Sequence, residues 1–158
     1  MAGNRKHAQL VTDHLHTPVE AAAPITRAGH AKTMVLTGGL GVLFAGLLGG
    51  RAKPGEIKVP GRTWLALMPG SFALIGSDPL RGRPKGDAFA RISYSEVAAI
   101  ELTTRWTTVR ARVTLHDGRG FAFETHRRGT GKAAVEVIEL LRGRCIAHTG
   151  EVGLPALA

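Results

Sequence analysis

The spacing of apolar and polar positions changes character several times along the chain, and each change predicts an element. Val109 to Leu115 alternates without fault, placing Val109, Ala111, Val113 and Leu115 on one face of a strand and Arg110, Arg112 and Thr114 on the other. Asp117-Gly118 follows, then Phe121 to Thr125, which predicts a hairpin closed by a type I′ turn whose two central residues need positive φ. After Gly129 the period lengthens: Ala134, Val137, Ile138 and Leu141 recur at i, i+3, i+4 and i+7, while Lys132, Glu136 and Glu139 face elsewhere. This predicts an amphipathic helix, with Gly143 as its stop. Upstream, Trp64–Met68 and Phe72–Ile75 are apolar throughout and predict two short strands buried on both faces, joined by the turn Pro69-Gly70-Ser71. Phe89–Ser93 and Ala98–Thr103 are further strand candidates around a turn at Tyr94-Ser95-Glu96-Val97, and Val19–Ile25 is a candidate first strand.

The intervening segments lack such periods. Residues 1–18 form a polar leader, read as flexible or marginally helical, and Gly76 to Gly86 is a loop by its Gly, Pro and Asp content. Residues 19–60 hold the candidate first strand, the uncharged run Thr33–Gly50 and a linker from Arg51 to Gly61 broken by Pro54, Gly55 and Pro60. Residues 61–144 are expected to make one folded domain, and 145–158 a flexible tail. The run contains six glycines between Gly38 and Gly50. As a helix it would reach about 27 Å, just short of a hydrocarbon core of about 30 Å. A Gly-rich helix or hairpin that packs on the domain or dips into a membrane interface is expected, ahead of a transmembrane anchor at 33–50. If Val19–Ile25 joins the later sheet, a single span is excluded.

Strands followed by one amphipathic helix make an α+β, mostly β chain: a bent antiparallel β sandwich or barrel of six to seven strands closed by a C-terminal helix. In this order and rhythm, the hairpin Trp64–Ile75, the step Ile92-Ser93-Tyr94-Ser95-Glu96-Val97, and Leu115-His116-Asp117-Gly118 leading into Phe121-Ala122-Phe123 resemble bacterial pleckstrin-homology-like domain proteins. The resemblance covers about 80 residues and implies a fold. Eukaryotic members often bind phosphoinositides through a basic motif that begins in the first strand and continues after a long loop into the second. With Trp64–Ile75 as the opening hairpin that loop is Pro69-Gly70-Ser71, without a basic residue, so no such site is implied.

Charge narrows the choice of partner. The formal net charge is +9, and residues 51–91 carry eight basic and three acidic groups, a larger excess than either flank. Arg81, Arg83 and Lys85 in one loop, with Arg51, Lys53, Lys58 and Arg62 before the first hairpin, are the candidate anion or lipid-surface site. Trp64, Phe72, Phe121 and Phe123 read as core, whereas Trp106 within Thr103-Thr104-Arg105-Trp106-Thr107-Thr108 is the one aromatic expected on display.

Other motifs fail on chemistry. Gly129-Thr130-Gly131-Lys132 lacks the first glycine and the hydroxyl after lysine of a phosphate-binding loop, and reads as a helix-start turn. Asp13-His14-Leu15-His16 and the pair Cys145 and His148 lack further ligands at metal-site spacing, so neither metal nor cofactor is expected. No nucleophile and base, or paired carboxylates, can be assembled from order alone, and no catalysis or small-molecule substrate is expected. A single cysteine and a polar start favour the cytoplasm. The expected function is a noncatalytic bacterial binding or adaptor module, peripheral at the inner membrane face, with an anionic membrane surface or another protein as partner. A nucleic-acid-associated role is the alternative.

Overall fold

The structure, a computed structural model, describes residues 2–29 and 55–149. Its elements are helix α1 (Ala2–Leu15), strands β1 (Ala21–Arg27), β2 (Arg62–Leu67), β3 (Ser71–Ser77), β4 (Pro84–Ser93), β5 (Val97–Thr104), β6 (Thr108–Leu115) and β7 (Gly120–His126), and helix α2 (Lys132–Thr149). The strands form one antiparallel sheet in the order β4-β3-β2-β1-β7-β6-β5. β1 is the joint between two meanders: Ala21 to Thr26 pair with Leu67 to Arg62, and Thr26 and Arg27 pair with Glu124 and Phe123. This mostly β architecture with a closing helix is consistent with a pleckstrin-homology-like barrel or sandwich.

The sheet bends around a core of Leu65, Leu67, Phe72, Leu74, Val113 and Phe123, all buried with the helix stripe Ala134, Val137, Ile138 and Leu141. The 3.6-residue spacing therefore marks the face that α2 presents to the sheet. Phe72 packs against Tyr94 and Phe121 with ring centroids 6.1 and 6.2 Å apart. The Tyr94 hydroxyl, buried with its ring, donates to the Met68 carbonyl at 2.8 Å, so burial leaves no polar atom of that side chain unpaired.

The other face of the first meander is covered by α1. Val11 packs with Ala22, Trp64, Ala66 and Ile75, flanked by Leu10, Leu15, Val19 and Ala88. The polar leader is thus a packed helix. Its apolar face is narrow, and a helix of this kind is held by tertiary packing more than by its own propensity. Side-chain bonds tie it down: Ala22 N donates to Asn4 Oδ1 at 3.3 Å and Val19 N to Thr12 Oγ1 at 3.1 Å. This helix is the reason Trp64–Leu67 of β2 and Phe72–Ile75 of β3 are apolar at every position.

Several expectations are corrected. The candidate first strand is present as β1, so Trp64–Ile75 is the β2–β3 hairpin and not the opening one, and the connection between first and second strands is residues 28–61 rather than Pro69-Gly70-Ser71. The sheet therefore takes in a strand that lies before Gly61. Gly143 does not end the last helix, which runs on to Thr149: Cys145 is buried, His148 stacks on Tyr94 at 5.3 Å, and Arg144 pairs with Glu20. Those contacts offset the cost of about 1 kcal/mol for an internal glycine. In the β6–β7 turn Gly118 has φ 86°, whereas Asp117 is not among the positive-φ residues. Gly118 N donates to Leu115 O at 3.0 Å and Leu115 N to Arg119 O at 2.8 Å, which makes a turn followed by a glycine bulge, not type I′. β3 and β4 also extend into the predicted loop, shortening it to Asp78–Arg83. The run Thr33–Gly50 lies outside the described residues.

Two substitutions test this packing. Ile138→Asp buries a carboxylate at a fully enclosed position and should abolish cooperative thermal unfolding, while Glu139→Lys on the exposed side should shift stability by less than about 0.5 kcal/mol. A Cβ at Gly118 meets no atom within 4 Å, so Gly118→Val should lose stability through the positive φ, by about 1–3 kcal/mol in chemical denaturation.

Candidate functional site

The end of the sheet where β2 starts, β3 stops and β4 starts gathers the predicted basic residues. Thr63 pairs with Gly76 and Ser77 with Pro84, which sets Arg62 at the end of the sheet that carries the Asp78–Arg83 loop, with β3 between it and Lys85. Arg62, Arg81, Arg83 and Lys85 are all exposed there. Lys58 is exposed on the segment leading into β2, and Arg51 and Lys53 lie outside the described residues.

Local chemistry fixes the loop. Asp78 Oδ1 accepts from Arg81 N at 2.8 Å and Leu80 N at 2.9 Å, an Asx turn for which aspartate is well suited. Those two backbone N–H groups hold the Asp78 carboxyl below its usual range, with Arg81 N the stronger influence. Gly82 N donates to Asp78 O and Asp78 N to Arg83 O, both at 2.8 Å, closing the loop on itself. From beneath, the Trp64 indole N–H donates to Gly82 O at 3.0 Å. His14 Nε2 lies 2.7 Å from Gly86 O and links α1 to the start of β4.

This ordered loop turns Leu80 outward, 94% exposed, between Pro79 and the cations. An aliphatic side chain held in water at the tip of a pinned loop is the feature that sequence reasoning missed. Its only sequence signal was the dipeptide Pro79-Leu80 ahead of Arg81. Trp106 is displayed as expected, at the β5–β6 tip. A groove of about 630 Å³ between α1 and α2, lined by Asn4, Glu20, Glu139, Leu140, Gly143 and Arg144, was also not foreseen.

The remaining motifs resolve as structure. Gly129–Gly131 is a 3-10 turn leading into α2, in keeping with a helix-start turn. Burial pushes the Cys145 thiol up to about 11, so it stays protonated near neutral pH and is a poor nucleophile. Among the described residues no group of three or more His, Cys, Asp or Glu is placed to hold a metal ion. No protein-family model and no curated protein matches the chain.

Trp64 has a second contact that connects the loop to α1. The His7 ring meets it edge-on at 5.2 Å, and His7 Nδ1 is buried without a hydrogen-bond partner among the described residues. Desolvation lowers the His7 pKa from its ordinary 6.5. With the folded value depressed, the unfolded chain binds the extra proton first as pH falls. Stability is therefore full above about pH 6.5 and declines as pH drops through the lower folded value. Thermal unfolding followed from pH 7.5 to about 5 should show this loss in the wild type and a smaller loss in His7→Phe, which keeps the ring contact without the titration.

Proposed function

We propose that the protein is a noncatalytic module that binds an anionic membrane surface through the end of the sheet bearing the Asp78–Arg83 loop. The observation that carries this reading is Leu80, 94% exposed on a loop whose backbone is fixed by Asp78 and Trp64, with Arg81, Arg83 and Lys85 around it. A leucine in water gains roughly 1.5–3 kcal/mol when its apolar surface is buried. Each basic residue near anionic headgroups adds about 1 kcal/mol at modest salt. Neither contribution alone gives lasting attachment, and their combination on one rigid tip gives a peripheral, salt-sensitive one.

Topology supports a peripheral mode. Arg27 pairs with Phe123, and Ile57 N donates to Gly120 O at 2.8 Å, so the connection that contains Thr33–Gly50 leaves and rejoins the sheet beside β7. A connection anchored at both ends to one folded sheet crosses a bilayer an even number of times or not at all. Among the described residues no helix is long and apolar enough to cross a membrane. The reading places the module at the inner face of a bacterial membrane.

Sedimentation with phosphatidylcholine–phosphatidylserine vesicles tests it. The wild type should pellet with these vesicles and not with pure phosphatidylcholine. Changing Arg81, Arg83 and Lys85 together to Ser should weaken binding by up to a few kcal/mol at low salt, with the difference fading as ionic strength rises. Leu80→Ser should weaken binding about tenfold at every salt concentration. A wild type that ignores anionic vesicles would remove the membrane reading and leave protein–protein adaptation as the better account.

A further inference from the structure

A second charged surface lies at the β5–β6 tip, built from residues that the lipid-facing loop does not use. The β5–β6 connection is closed by Arg105 N donating to Thr108 O at 2.8 Å, and the end of β7 joins it through Thr108 paired with His126 and Arg127 N donating to Thr107 O at 2.9 Å. Backbone bonds therefore fix Arg105, Trp106 and Thr107 next to Arg127 and Arg128. All five are exposed, and the Trp106 indole is 87% so.

The charge here is uncompensated. Arg105, Arg127 and Arg128 form no ion pair among the described residues. Of the carboxylates on the same strands, Glu124 is buried and bonded to Arg110 at 3.3 Å, and Glu101 lies four residues back along β5, opposite Arg112 in the register. Three exposed arginines on backbone segments that meet beside one exposed indole match a phosphodiester chain with unpaired bases, since guanidinium pairs with phosphate and a base stacks on the ring.

Lipid is a poorer match for this tip. Trp106 has no apolar neighbour in sequence; Thr103, Thr104, Thr107 and Thr108 flank Arg105-Trp106, and their hydroxyls would have to be stripped of water in a bilayer. The same hydroxyls donate readily to phosphate oxygens. The Leu80 tip has the opposite character, aliphatic with proline beside it.

We infer that the β5–β6 tip, through Trp106, Arg105, Arg127 and Arg128, binds single-stranded nucleic acid. Stacking supplies the preference for unpaired bases, and the arginines supply a sequence-independent hold on the backbone. Because it uses different residues, this site stands or falls separately from the membrane reading.

The test is titration of the full chain with a single-stranded oligothymidylate and with a duplex of equal length, followed by anisotropy of labelled nucleic acid across a range of salt. The single strand should bind more tightly than the duplex. Trp106→Ala should weaken single-strand binding about tenfold and Trp106→Phe much less, because base stacking survives on a smaller ring. Changing Arg105, Arg127 and Arg128 together to Ser should reduce the slope of log K against log salt by about 2, near 0.7 per lost phosphate contact. All four positions are exposed, so the substitutions leave the core intact, and thermal unfolding of each variant checks this. Equal binding of duplex and single strand, or unchanged binding by Trp106→Ala, would reduce the effect to net charge and overturn the inference. So would anionic vesicles, and not the oligonucleotide, shielding Trp106 from an aqueous fluorescence quencher.

Discussion

The pairing of β1 on both its edges is the constraint on which the rest of the molecule depends. Residues 71–93 can build a hairpin on β2, and residues 97–126 can build a three-stranded meander, yet neither half encloses a core alone. β1 joins them through Thr26, which faces Arg62 on one side and Glu124 on the other, and the Thr26 hydroxyl donates to Glu124 O at 2.9 Å. Once that strand is seated, the sheet curls, one opening faces α2, and one outer face is left for α1. The positions of the basic loop and the β5–β6 tip follow from the same register.

What could be read from the sequence was what is encoded locally. The alternation of Val109 to Leu115 and the stripe from Ala134 to Leu141 specify their faces without help from distant residues, and both faces are buried as their periods require. The continuous apolarity of Trp64–Leu67 and Phe72–Ile75 correctly implied two covered faces, but the cover was not legible. Val11 and Ala8 of α1 are too sparse an apolar signal to stand out among Asn4, Arg5, Lys6 and Asp13. Gly143 was misleading because glycine ends a helix only where no contact holds the next turn. Cys145 and His148 supply such contacts, and they are visible only once Tyr94 is in place.

The candidate site divides in the same way. Arg81, Arg83 and Lys85 were evident as neighbours in sequence, whereas the proximity of Arg62 needed the pairing of β2 with β3. The exposure of Leu80 depends on a hydrogen-bond pattern set by Asp78 and on the indole of Trp64, two residues that look unremarkable in a linear reading. Trp64 is also the contact of His7, so one buried side chain joins α1 to the loop that carries the cations.

Gly131 carries a consequence of a different kind. A Cβ placed on it would collide with the backbone carbonyl of His126, so the 3-10 turn that leads into α2 rests directly on the end of β7, main chain against main chain. Side-chain cores tolerate some sliding and repacking, whereas a backbone seat of this sort acts as a mechanical stop. Between the strand and the stop lie only Arg127, Arg128, Gly129 and Thr130. The hydrogen bond from Arg127 N to Thr107 O holds one end of this segment at the Trp106 tip and the seat of Gly131 holds the other, so the backbone carrying the two arginines is clamped from both sides.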